Sequence, residues 1–418
     1  MSLFLGLSTF AFNIQPAKAV SGEIIINPNG TISSPVTANI TVSNNETYTF
    51  NSNNYLPIVV NRSNIIINGN GYAINGPGIS GGNGGISLTY ESNVTIENVK
   101  ITAFFYGVII SNSPRCTVSG NNLTANEDGV DVVSSSSYCN VSANTFQNDG
   151  LFVEYSFHNV VMNNKVNGEP LYYLEGVRQS TTVPSGVGEV VLVNCSNIIV
   201  SNQSLSNASD GVELYQTNST RITNNKMTNN GLGIYIGASF SNSISGNNLT
   251  NNGNGILLLY SSSNSLSGNN LTGNGNNGIQ LTYALDNVLS GNDVTGSSHG
   301  IYLYHSSGNT FYHNNFVGNY QQVESDGSPN TWDNGYPSGG NYWSDYQTKY
   351  PSAAEIDSSG IWNTPYVIDT NNTDHYPLMN QVTVPEFQPY MLLPLFVTVT
   401  LIGALILRRK RRDLYASA

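Results

Sequence analysis

Three aspartates, Asp128, Asp149 and Asp210, each stand immediately before a glycine, and Asp131, Glu154 and Glu213 follow within a few residues of these points. Rings are interleaved with them: Phe152, Tyr155, Tyr215 and Tyr235, and further on Tyr260, Tyr283, Tyr302 and Tyr304. Carboxylates accept hydrogen bonds from sugar hydroxyls, and aromatic rings offer flat apolar faces on which sugar rings stack. A surface carrying both is suited to holding a glycan. A pair of carboxylates about 5–10 Å apart would also suffice for glycoside hydrolysis, and two acids brought together repel, which raises one pKa toward the range of a general acid. Two chemistries therefore compete. In one, Phe152, Tyr155, Tyr215, Tyr235 and Tyr302 bind glycan without catalysis. In the other, Asp128, Asp131, Asp149, Glu154, Asp210 and Glu213 supply the acids of a polysaccharide hydrolase or lyase. Arg178 is the one nearby cation that an enzyme would recruit. Against both stand two plain facts: tyrosine favours half-exposed strands, and Asp before Gly is ordinary turn chemistry.

Metal and thiol chemistry are less developed. The five histidines are His158, His299, His305, His313 and His375, and no two have the close spacing of a copper site. Copper is disfavoured. Cys116 and Cys139 are one repeat apart, close enough in a stacked fold for a disulfide or for a pair of buried thiols; Cys195 is left over.

The elements that position these residues repeat. Gly85, Gly107, Gly129 and Gly150 are spaced 22, 22 and 21 residues apart, and Gly211, Gly233, Gly255, Gly278 and Gly300 are spaced 22, 22, 23 and 22. Aliphatic residues follow most of these at +1 and +3, as in Ile234 and Ile236, with a variable, often polar residue between them such as Ser87, Asp131, Glu213 or Gln280. That is a strand with one buried face. Two asparagine columns keep the same phase. One runs through Asn98, Asn121, Asn144, Asn164, Asn202, Asn224, Asn247, Asn269, Asn292 and Asn314. The other, five residues earlier, runs through Asn93, Cys116, Cys139, Asn159, Asn197, Ser219, Asn242, Asn264, Asn287 and Asn309. Such columns predict side-chain ladders in turns, each amide bonding the coils above and below. A coil of this length cannot bury its own apolar face, so the coils must stack. The expectation is an all-β, right-handed, single-stranded parallel β-helix over residues 60–318. An N-terminal cap at 20–59 precedes it, an insertion at 168–194 interrupts it, and a C-terminal module at 319–380 follows. The acidic and aromatic residues should then lie on its outward strand face, beside the insertion.

The ends read as targeting segments. Residues 1–19 have the apolar run and the small-x-small site (Ala17, Lys18, Ala19) of a signal peptide. After a linker at 381–389, residues 390–407 form an uncharged stretch of 18, the minimum for a spanning helix, and Arg408 to Arg412 open a basic tail at 408–418. The expected topology is single-pass, with the repeats on the extracellular face and the C-terminus in the cytoplasm. The chain carries a net charge of −12 even with that basic tail included. So acidic a surface excludes nucleic acid as a partner, because phosphate binding needs clustered Lys and Arg.

With these features in view, the chain resembles the NosD-like family of parallel β-helix repeat proteins, named after a periplasmic copper-binding accessory protein. The likeness runs over about residues 60–380. It rests on Ile65-Ile66-Ile67-Asn68-Gly69-Asn70-Gly71 at the entry, and on Pro170-Leu171-Tyr172-Tyr173-Leu174-Glu175-Gly176 with the stretch from Val191 to Asn197 at the insertion. In the C-terminal module it rests on Gly340-Asn341-Tyr342-Trp343-Ser344-Asp345-Tyr346 and Asp374-His375-Tyr376-Pro377-Leu378. The resemblance implies a calcium-binding loop in that module, with Glu355, Asp357 and Asn363 as its candidate ligands here, although Trp362 replaces a glycine. Pro385-Glu386-Phe387 is similar to the archaeal PEF-type sorting signal, which implies a membrane sortase as a partner. The expected function is thus a cell-surface anchored protein with a carbohydrate-binding or adhesive role. The alternatives are a polysaccharide hydrolase or lyase, and a copper accessory protein like the family namesake.

Overall fold

The computed structural model describes residues 22–79 and 82–383. The expected signal peptide at 1–19, Pro385-Glu386-Phe387, the expected spanning stretch at 390–407 and the basic tail lie outside the described residues. Among the described residues no helix is long and apolar enough to cross a membrane. The chain divides into two compact units at Leu171 and Tyr172, inside the strand Glu169–Glu175.

Both units are parallel β-solenoids of the right-handed type. In the first, the strands Ile58–Val60, Gly84–Thr89, Tyr106–Ser111, Asp128–Val133 and Leu151–Glu154 stack in one parallel sheet that begins as early as Ile24–Ile26. A second parallel sheet runs from Thr47–Phe50 to Val160–Met162. In the second unit the marker strands are Glu189–Val193, Asp210–Tyr215, Leu232–Gly237, Asn254–Leu259, Asn277–Thr282, His299–Tyr304 and Gln321–Ser325, again parallel and in register.

The residues predicted to face inward do so: Ile256, Leu258, Ile279 and Leu281 are buried with their counterparts from every coil of the second unit. The marker glycines mark a close approach of backbone. A Cβ on Gly233 would lie 2.5 Å from the carbonyl oxygen of Gly255 and 2.6 Å from Leu249. The column therefore excludes side chains for steric reasons.

The asparagine ladders are present. Asn247 Oδ1 accepts from the Asn225 backbone N–H and side-chain amide at 3.0 and 2.9 Å, and its own amide donates to Ile222 O and Asn269 Oδ1 at 2.9 Å each. That pattern continues through Asn292 and Asn314 to Asn341. Its membership differs in part from the sequence reading. Asn202 and Asn224 take up left-handed backbone, and the ladder runs instead through their neighbours Gln203 and Asn225. A third ladder, Asn230–Asn252–Asn274, lies three or four residues before the marker glycines. Cys195 also belongs to a column, accepting a place beneath Thr217, Ser239 and Ser261. Cys116 and Cys139 are buried free thiols. Their mutual hydrogen bond and burial push the Cys139 thiol up.

The C-terminal module closes the last coil of the second unit. Trp343 stacks between Phe316 and Tyr366 at 4.6 and 4.3 Å, and Trp332 stacks on Phe311 at 4.2 Å. Asn341 takes the final rung of the ladder. Asp374 accepts from Asn341 N and Trp343 Nε1 at 2.8 and 2.9 Å, and burial raises its pKa to about 7.

Candidate functional site

The expected acidic face is not an exposed face. Asp131, Asp149, Asp210, Glu213, Tyr215 and Tyr235 are all buried, Glu213 completely at 0% exposure. Asp128, Phe152, Glu154 and Tyr302 are half-buried, and Tyr155 is exposed on left-handed backbone just past its strand. Alternation along a strand predicts direction, but says nothing of what lies on top.

Each correction has a local cause. Asp149 precedes Gly150, the one marker glycine reached after 21 residues instead of 22. The corresponding rung stands three residues before Gly129, as Asn126, but only one before Gly150, so the aspartate itself fills it and its Oδ2 accepts from the Asn126 side-chain amide at 2.7 Å. Burial there, first among the causes, raises its pKa to about 7. Asp131 is short and sits in register between Ile109 and Phe152. Tyr106 lies close enough to it for burial and the charges of Asp131 and Asp128 to raise the phenol pKa. In the second unit, Tyr173 from the insertion lies near Glu213 and Cys195, and donates its hydroxyl to Glu175 at 2.8 Å. Burial and these neighbours push the Tyr173 phenol up. The Asp210 backbone N–H donates to Glu189 Oε1 at 3.4 Å, and both residues are buried. Tyr235 lies flat along its own strand, its hydroxyl over Gly237, where a Cβ would come within 2.7 Å of it.

A further accessible surface lies on the outward side of the strands from Asn254–Leu259 to Gln321–Ser325. Pairing sets Leu257, Gln280, Tyr302 and Glu324 in one row, and Asn277, His299 and Gln321 in another. His299 bridges the rows. Its Nδ1 faces Asn277 Oδ1 at 2.9 Å, and its Nε2 faces Glu324 Oε2 at 2.8 Å. Asn277 donates to Gln280 Oε1 at 2.9 Å, and Gln280 donates to Thr282 Oγ1 at 3.1 Å. The Tyr302 ring lies 5.9 Å from that of His299. Glu324 keeps 45% of its side chain exposed and His299 27%. The result is a half-open patch of amide, imidazole, phenol and carboxylate, fixed in place by its own hydrogen bonds.

Beside it runs a ladder of exposed rings. Tyr260 and Tyr283 stack at 4.9 Å, and His305 packs on Tyr283 and Tyr304 at 5.1 and 4.2 Å. These rings cover each other's faces, so they present edges and hydroxyls. Asp326 holds the end of the ladder. Partial burial works against its charge, but the His305 backbone N–H at 2.7 Å, Ser328 and the His305 ring keep its carboxyl below the usual range. Sequence reasoning singled out Tyr302 and missed His299, Gln280 and Glu324. Their common outward phase was the available signal.

Among the described residues, no three His, Cys, Asp or Glu side chains gather as a metal site. His313 Nε2 faces Ser338 O at 2.8 Å, and His375 Nδ1 faces Asp333 at 3.0 Å, so these imidazoles serve separate loops. In the loop expected to hold calcium, Glu355 Oε1 accepts from Gly360 N at 2.7 Å. Asn363 Oδ1 accepts from Ala354 N at 3.1 Å, and Asp357 occupies a left-handed turn position. Trp362 there is a core residue, stacked on Tyr346 at 5.0 Å. The Glu355 and Asn363 oxygens thus tie the loop to itself.

The family model described as periplasmic copper-binding protein (NosD) matches residues 17–178 and 167–348. The chain belongs to the NosD family. No curated protein matches this NosD-family chain. Among solved structures it is similar to the periplasmic alginate epimerase AlgG, at 15% identity over 72% of this chain and 80% of that one, with a TM-score of 0.34. It is also similar to a tailspike protein mutant of E. coli bacteriophage HK620 in complex with a pentasaccharide, at 16% identity over 69% and 59%, TM-score 0.32. An alginate lyase from Paenibacillus matches at 12% identity over 59% and 94%, TM-score 0.26. Likenesses of this size carry no argument about what the chain does.

Proposed function

We propose that this NosD-family chain is a surface-displayed glycan-binding protein whose contact surface is the outward face around Tyr302. The observation that carries the reading is the patch of His299, Glu324, Asn277, Gln280 and Tyr302. It combines donors, acceptors and a ring, is half-open to solvent, and is held rigid by mutual hydrogen bonds on a stacked scaffold. Preorganised polar groups lose little freedom on binding, which favours a hydroxyl-rich ligand that matches them. The buried acids Asp149, Asp210 and Glu213 play no part in this reading, because a polysaccharide cannot reach them. Display on the outer face of the membrane, through the apolar stretch at 390–407 and a sortase acting at Pro385-Glu386-Phe387, is the accompanying proposal from the sequence pattern.

The test is a binding titration of the full chain in detergent against a panel of soluble polysaccharides, beside a thermal melt. Tyr302→Ala combined with Glu324→Gln should weaken binding about tenfold or more, as removal of central contacts does, and leave the melt unchanged. Unaltered affinity in the folded double variant would refute the assignment of this face.

A further inference from the structure

The second unit also carries a half-open pocket of about 310 Å³, where the last coil meets the C-terminal module. Its walls are the turn at Asn319 and Tyr320, the strand Gln321–Ser325, the short helix Tyr346–Lys349 with Asp345 before it, and the strand Tyr366–Val367. That volume is at the small end of ligand sites.

The wall groups are largely fixed. Asp345 Oδ2 accepts from the Tyr366 hydroxyl at 2.9 Å, whereas Oδ1 is shielded from solvent and meets no donor among the described residues. Lys349 Nζ donates to Val367 O at 2.6 Å and lies 4.0 Å from the centre of the Tyr366 ring, so its ammonium is pinned at the cavity wall. Gln322 is committed to the wall through Asn319 and Ser344, both at 3.0 Å. The Gln321 amide nitrogen is bound to Val323 O at 3.0 Å, which leaves its carbonyl oxygen as an acceptor. At the rim stands Tyr320, 93% exposed, a cost in apolar surface that the coil itself does not require.

We propose that this cavity takes one pyranose ring, the end unit of a glycan. The ring stacks on Tyr320, and Lys349 and the Gln321 carbonyl oxygen serve its hydroxyls, while Asp345 balances the Lys349 charge from within the wall. The charges select this class. A small anion would be repelled by Asp345 and a small cation by Lys349, while a neutral polyol meets neither repulsion. The inference rests on the glycan-binding reading and adds to it a site for a chain terminus, apart from the face around Tyr302.

Saturation-transfer NMR on the full chain tests it, with the methyl glycosides of glucose, galactose and mannose as probes and inorganic phosphate and methylammonium as competitors. At least one glycoside should show transfer. Tyr320→Ala, which cannot harm folding from so exposed a position, should weaken that binding about tenfold, and neither ion should compete. Absence of transfer from all three glycosides, equal transfer with Tyr320→Ala, or displacement by either ion would overturn the proposal. The two claims separate cleanly. If polysaccharide binding survives Tyr320→Ala but not the Tyr302 and Glu324 double variant, and no glycoside binds, the cavity claim fails and the face stands. If a glycoside binds the cavity while the double variant retains polysaccharide, the face fails instead.

Discussion

Asp149→Asn should stabilise the first unit above neutral pH far more than below it. In each neighbouring rung of the ladders, an asparagine amide nitrogen donates to a carbonyl 25 or 26 residues back, as Asn126 does to Ile101 O and Asn144 to Val118 O. The residue at that step from Asp149 is Leu123. An ionised aspartate has no proton to give there, and Asp149 Oδ1 is buried without a hydrogen-bond partner. Burial accordingly lifts its pKa from 3.8 to about 7. A carboxyl whose pKa is raised by folding contributes stability that is complete below the unfolded value of 3.8, and this is lost as pH rises through about 7. Between pH 5 and pH 8 the wild type should lose about 2–3 kcal/mol from this group, at about 1.36 kcal/mol per unit. Asparagine supplies the donor at every pH, so the advantage of the variant should grow by that amount across the interval. Asp374 titrates in both proteins and cancels in the difference. Urea unfolding followed by far-ultraviolet circular dichroism at the two pH values reads the effect, and a difference independent of pH would refute the reasoning.

Three further outcomes follow from the same contacts. Asn269→Ala removes the partner of Asn247 N and Nδ2 and of Ile244 O. It should cost about 3 kcal/mol or more by leaving buried groups unmet, whereas Asn248→Ala on the exposed face should cost under about 0.5 kcal/mol, both measured by urea unfolding. Gly233→Ala should lower the melting temperature sharply or prevent folding, because its Cβ meets backbone and not a flexible side-chain end; a melt unchanged within error would contradict this. Ile279→Asp should abolish cooperative unfolding, since it places a charge among Ile256, Leu281 and Ile301 in the stacked core, and a retained tryptophan emission shift on unfolding would count against it.

The architecture was legible because its requirements recur. A backbone contact that only glycine tolerates, and a turn that needs an amide, each leave a mark every coil, so Gly233 and Asn247 are readable from phase alone. The candidate site was less legible, because it depends on departures from phase. A gap of one residue between rung and glycine, where Asn126 and Gly129 are three apart, turned Asp149 from a surface acid into a ladder rung. Tyr173, far from Glu213 in the repeat pattern, lies beside it because the insertion returns over that strand. The Asn202 and Asn224 positions were displaced by one residue because left-handed backbone and ladder membership alternate within a turn, and both favour asparagine. Tyr302 and Glu324 stand in register across adjacent coils and His299 reaches Glu324 from the neighbouring row, but no motif joins them in the sequence, so the patch emerged only from the strand alignment.

The C-terminal module also has a consequence for self-association. The strand Gln321–Ser325 is the last of its sheet, and a terminal parallel strand with asparagines ready to bond a further rung is a template for another chain. Asn341 and Asp374 occupy the next place in the ladder, and Trp332 and Trp343 cover the apolar end beneath it. The module thus acts as a terminator of growth. A chain deprived of residues 330–383 would present a stack whose top accepts the bottom of its neighbour, and the same ladders that order one molecule would then propagate as a fibre.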